Sequence, residues 1–109
     1  MIPAAVDYVR ATTVEDALGA LASPGASALA GGQTLIPAMK LRVARPSLLV
    51  DIGALDLRGV SVDADNVRIG ALTTWDELLR ARELERPELA AIGECVSGIG
   101  DLQVRNRGT

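Results

Sequence analysis

Histidine and phenylalanine are absent from this 109-residue chain, cysteine occurs once, and the aromatic residues are Tyr8 and Trp75 alone. Without histidine the commonest general base and metal ligand is missing. One cysteine, Cys95, makes no internal disulfide and holds neither an iron–sulfur cluster nor a structural zinc. A net charge of −3 and the scarcity of aromatic rings exclude the basic footprint and stacking platforms of a nucleic-acid binder. No apolar run approaches the roughly 18 residues of a membrane span. The opening MIPAAVDYVR has no basic region followed by a long apolar one, so a cytoplasmic protein without a secretory signal is expected. Any chemistry must come from a cofactor or a partner.

What is present is a chain that is 49% hydrophobic, enough for one domain with a modest core. AVDYVRA (5–11) alternates as a short strand. TTVEDALGALA reads as a helix, with capping-box spacing at Thr12/Glu15 or Thr13/Asp16 and an apolar face of Val14, Ala17, Leu18 and Leu21. SPGAS (23–27) is a turn, and SALA (27–30) a short buried strand. TLIPAMKLRVA suits a short helix with Pro37 in its first turn and Leu35, Met39 and Ile36 facing inward. SLLVDI (47–52) is a strand covered on both faces.

Runs 59–63 and 67–72, joined through Asp65 and Asn66, form a hairpin. Thr74 to Glu77 is a capping box opening a helix with Trp75, Leu78 and Leu79 on one side. Pro87 restarts a second helix with Leu89, Ile92 and Val96 in register, ended by Gly98 and Gly100. The closing DLQVRNRGT shows neither helix nor strand pattern and stops as though inside a unit. The order of elements predicts an α/β (α+β) fold with a small sheet.

Gly31 and Gly32 stand where the strand 27–30 ends and the next helix begins. Bare backbone there serves either a tight turn or the close approach of a ligand. A strand that ends in two glycines and feeds a helix turns successive amides toward a phosphate, and Gln33 and Thr34 add small donors. Neither dinucleotide-fold nor Walker spacing is present, and Lys40 lies too far on to be a loop lysine. Taken alone the pair is more often a plain turn.

Four blocks taken together are far more specific. ALAGGQTLIPAMKLR, LLVDIGALDL, VRIGALTTWDELL and DLQVRNRGT, in this order and spacing, resemble the first half of the flavin-binding domain of the molybdenum hydroxylases. That family comprises the carbon monoxide dehydrogenase medium subunits and the matching part of xanthine dehydrogenases, and the resemblance runs from Met1 to Thr109. It implies the N-terminal half of a two-part α/β domain of the molybdopterin dehydrogenase type, with residues 1–109 cut within a second glycine loop. It implies FAD, with the pyrophosphate held by a first loop of Ala28, Leu29, Ala30, Gly31, Gly32, Gln33, Thr34 and Leu35. Thr109 would be the first residue of the second loop, after Arg105, Asn106, Arg107 and Gly108. Ile99 matches an apolar residue that lies against the flavin in some members. The family usually has proline where this chain has Leu102.

The implied function is a redox module passing electrons from iron–sulfur clusters through FAD to an external acceptor. Its implied partners are a molybdenum-cofactor large subunit and an iron–sulfur small subunit. Two alternatives stand beside it: a non-catalytic subdomain that does not hold FAD by itself, and a binder of another phosphate-containing nucleotide. Cys95 is expected to be buried as a small hydrophobe. Arg105 and Arg107 are expected to be solvated or structural, Trp75 to pack at a helix start, and Asp51 and Asp101 to take no catalytic part.

Overall fold

A computed structural model describes residues 1–109, which divide into two compact units, Met1–Asp56 and Leu57–Thr109. The first unit is built on three parallel strands, β1 (Asp7–Arg10), β2 (Ala26–Leu29) and β3 (Leu48–Asp51), in the order β1-β3-β2. The continuous apolar run SLLV becomes the central strand, with Leu49 buried and Val50 wholly inaccessible. Pairing Tyr8 with Leu49 and Ser27 with Leu49 fixes the register on both sides.

The crossover from β1 to β2 is α1 (Val14–Leu21), capped by Thr13, whose hydroxyl accepts the Asp16 amide at 3.1 Å. Asp16 in turn accepts from the Thr12 hydroxyl, at 3.0 Å. The expected apolar face is only partly used. Ala17 is buried and Leu21 half-buried, whereas Val14 and Leu18 are exposed. A helix of two turns lays a narrow stripe on a three-stranded sheet, and the alanine side of α1 fills it.

After β2 the chain turns through residues 30–34 into α2 (Leu35–Lys40), which buries Met39. Pro37 is its third residue, where its missing amide costs no helical bond.

In the second unit β4 (Val60–Val62) and β5 (Val67–Ile69) pair antiparallel, as the hairpin pattern predicts. Asp63 shapes the turn, its carboxylate accepting the amides of Asp65 at 2.9 Å and Asn66 at 2.8 Å. Both bonds favour the charged form and hold the Asp63 carboxyl below the usual range. Beyond β5 the amides of Gly70 and Leu72 reach back to the carbonyls of Gly59 and Leu57.

Next is α3 (Trp75–Arg80), opened by the complete capping box. Thr74 Oγ1 accepts the Glu77 amide at 3.2 Å and Glu77 Oε2 accepts the Thr74 amide at 2.7 Å. Two 3-10 turns, Arg82–Leu84 and Pro87–Leu89, lead into α4 (Ala90–Ser97). Leu78, Leu84 and Val96 form the core, with Trp75, Leu89, Ile92 and Ile99 against it.

Two expectations fail in this unit. Residues 102–107 are a helix, α5 (Leu102–Arg107), because Asp101 accepts the Val104 amide at 2.9 Å and caps it. Cys95 is exposed, since burying Val96 turns its neighbour about 100° away around the helix.

Candidate functional site

The glycine pair lies at the carboxyl end of a parallel strand, the end at which open α/β sheets place their ligands. Leu29 is anchored by its carbonyl, which accepts the Ile52 amide at 3.0 Å. From there the chain leaves the sheet. Gly32 takes φ +79, a left-handed conformation that suits a residue without a side chain. A Cβ at that position would lie 3.3 Å from Ile36 Cγ1 and 3.5 Å from Leu29 Cδ1. The Gly32 carbonyl accepts the Ile36 amide at 3.0 Å and the Thr34 carbonyl the Ala38 amide at 3.1 Å, so the carbonyls turn into the helix.

The amides do the opposite. None of the five from Gly31 to Leu35 donates to an acceptor in the chain. Thr34 precedes α2 without using its hydroxyl as a cap, and Gln33 and Thr34 are exposed. Unpaired amides need water or a ligand. No aspartate or glutamate occurs from residue 17 to residue 50, so the loop's own segment carries no carboxylate, and Asp51 faces Leu29 from the neighbouring strand. A row of free donors on a bend that a left-handed glycine permits fits a diphosphate.

At the end of β3, paired with Leu29, stands Asp51. Its carboxylate accepts the Gly53 amide at 2.8 Å and the Tyr8 hydroxyl. That hydrogen bond stabilises the neutral phenol and raises the Tyr8 pKa above 10.0. Asp51 thus fastens the turn after β3.

The other two predicted residues belong to the second unit. Ile99 is half-buried against the Leu78, Leu84 and Val96 core, and Thr109 is the half-buried last residue. Sequence reasoning missed how this segment is held. Gly100 has φ +51, and Arg105 folds back so that its guanidinium donates to the carbonyls of Ile99 at 3.0 Å and Gly100 at 3.1 Å. Arg105 is therefore structural, one of the two roles expected of it. Gly108 is buried under Trp75: a Cβ there would lie 2.8 Å from the indole, and its carbonyl accepts the Trp75 amide at 3.0 Å. Trp75 packs at the start of its helix as expected. No local sequence signal marks the Trp75–Gly108 contact, because the two residues are 33 positions apart.

A groove of about 330 Å³ beside β4 is lined by Arg58, Val60, Thr73, Glu77 and Glu83 and contains none of the predicted residues. Arg58 and Glu77 form an ion pair across it at 3.0 Å.

Residues 4–109 match the family model described as the FAD binding domain in molybdopterin dehydrogenase. The chain belongs to that family. Over its whole length it is 39% identical to the carbon monoxide dehydrogenase medium chain of Hydrogenophaga pseudoflava. It is likewise 39% identical to the glyceraldehyde dehydrogenase medium chain of Sulfolobus acidocaldarius. Among solved structures it superposes on the reconstituted CO dehydrogenase from Oligotropha carboxidovorans with a TM-score of 0.92 at 38% identity, again over the whole chain. It spans 39% of the length of each of these three proteins. The family's cofactor is FAD, and the mixed α/β fold is the one the resemblance implied. No helix is long and apolar enough to cross a membrane.

Proposed function

We propose that residues 1–109 are the N-terminal part of an FAD-binding redox module, in which the loop Ala28–Leu35 holds the diphosphate of the dinucleotide. The observation that carries this reading is the run of five unpaired amides from Gly31 to Leu35 beside a left-handed glycine. Gly31, Gly32, Gln33 and Thr34 donate backbone N–H groups. Ala28, Leu29, Ala30 and Leu35 fix the loop between β2 and α2. Ile99 offers an apolar surface to the flavin, with its backbone held by Arg105, and Thr109 begins the second phosphate loop.

When bound, FAD supplies two-electron to one-electron redox chemistry, and the protein's part is binding and orientation. That division of labour suits a chain with no histidine and with no cluster of histidine, cysteine and carboxylate side chains suited to a metal. In the assembly proposed, electrons arrive from iron–sulfur clusters on a small subunit, after substrate oxidation at molybdenum on a large subunit. They leave to an external acceptor.

The visible spectrum tests this. The purified protein, with the subunits that co-purify, is expected to show flavin bands that bleach on adding the complex's substrate and return with an oxidised acceptor. A colourless protein that ignores added FAD would support the non-catalytic alternative instead.

A further inference from the structure

At the carboxyl end of the first unit's sheet, Asp51 of the central strand is in register with Arg10 of β1 on one side and Leu29 of β2 on the other. Residues in register on parallel strands stand on one face, so Asp51, Arg10 and Leu29 share a face. Tyr8, two residues before Arg10, shares it too. The glycine bend returns over that same face, since a Cβ on Gly32 would lie 3.5 Å from Leu29 Cδ1. The charge of Asp51 thus stands one strand away from the bend. What holds it is one-sided. Oδ1 accepts the Gly53 amide of its own turn at 2.8 Å, and Oδ2 accepts the Tyr8 hydroxyl from β1. β1 lies across β3 from β2, about 10 Å from the strand that carries the bend. Tyr8 is 57% exposed, so its hydroxyl bond contributes more than its packing does.

We infer, resting on the reading of the bend proposed above, that Tyr8 is a positioning residue for the diphosphate site: its hydroxyl draws the Asp51 carboxylate toward β1 and away from the bend. A carboxylate beside an anion site weakens binding more the closer it stands. Yet Asp51 has a use at this end of the sheet. By accepting the Gly53 amide it shapes the turn whose Ile52 amide donates to the Leu29 carbonyl at 3.0 Å, the last anchor before the bend. The fold therefore needs a carboxylate where the ligand would exclude one, and the phenol reconciles the two. A tyrosine does so without adding a charge, and it stays a donor because Asp51 keeps its pKa above 10.0. Arg10, beside Asp51 in β1, attracts the carboxylate in the same direction, so loss of the phenol is expected to shift the charge rather than release it.

The test strips flavin from the purified protein, with the subunits that co-purify, and measures the Kd of FAD and of riboflavin by fluorescence quenching. Native protein is compared with Tyr8→Phe, Asp51→Asn and the double variant, and urea unfolding checks that each is folded. Tyr8→Phe keeps the ring on an exposed strand, and its FAD Kd is expected to rise about five-fold at low salt and less at high salt. Its riboflavin Kd should not change, because riboflavin has no phosphate to repel. Asp51→Asn keeps an oxygen for the Gly53 amide and removes the charge, so its FAD Kd is expected to be no higher than native. In that background, removing the phenol should have no further effect. A bond that only braces the sheet would instead weaken both flavins and leave the double variant the weakest of the four. That result, or a native FAD Kd in Tyr8→Phe protein, overturns the role of Tyr8 and leaves the FAD reading standing. Native protein that binds FAD no more tightly than riboflavin overturns the diphosphate reading and the role of Tyr8 together.

Discussion

Replacing Gly32 by asparagine and, separately, by aspartate separates backbone strain from charge. Both side chains enter the same φ of +79 and bring the same Cβ to 3.3 Å from Ile36 Cγ1, so Ile36 must give way by a few tenths of an ångström. A left-handed non-glycine residue costs roughly 1 kcal/mol, with asparagine and aspartate among the better tolerated. Both variants should therefore remain folded, with nearly equal shifts in urea midpoint. Only aspartate adds a negative charge beside the five free amides. Two unit charges about 6 Å apart interact by about 3 kcal/mol at an effective dielectric constant of about 20, and salt reduces this at an open loop. Aspartate is thus expected to weaken FAD binding roughly ten- to hundred-fold beyond asparagine. Flavin absorbance after exhaustive dialysis and quenching of flavin fluorescence during titration measure it. Equal losses for the two variants, or full flavin content in the aspartate variant, would refute the argument that this bend holds the diphosphate.

Other outcomes follow from the same geometry. Gly70→Ala would place a Cβ 2.3 Å from the Leu57 carbonyl oxygen, and the second unit should lose about 3 kcal/mol or more in urea unfolding. The Glu77 carboxyl is held below its ordinary value of 4.5, first by the Thr74 amide and then by Arg58. Its stabilisation is therefore complete above about pH 4.5 and lost as pH falls through the lowered value, and Glu77→Gln should flatten the acid limb of the stability profile in that window. Leu102 is the exposed first residue of α5, preceded by an extended Asp101. Leu102→Pro should accordingly raise stability by about 0.5 kcal/mol in thermal unfolding, and a loss of stability there would contradict the assigned helix start.

What the sequence made legible was what short stretches decide. The Thr74–Glu77 box, the hairpin turn at Asp63–Asn66 and the central strand of SLLV are each set by neighbours within a few residues. The glycine bend was legible as a place, at a strand end before a helix. That its five amides go unpaired was not, because pairing depends on where every nearby carbonyl points. The helix at 102–107 escaped notice since its only signal is the aspartate cap, with no glutamate three residues on and just six residues to show a period. Cys95 was misplaced because an apolar neighbourhood in sequence says little about angle around a helix only eight residues long. The Arg105 clasp and the Trp75–Gly108 contact are tertiary, so neither has a signature in the chain.

Hydrogen–deuterium exchange at the Gly31–Leu35 amides, read by mass spectrometry, tests the central claim most directly. With no acceptor in the chain these five amides should exchange rapidly in FAD-free protein, slow markedly once FAD is bound, and stay rapid with riboflavin, which has no diphosphate. Equal exchange with and without FAD, in protein whose absorbance shows the flavin bound, would contradict the account.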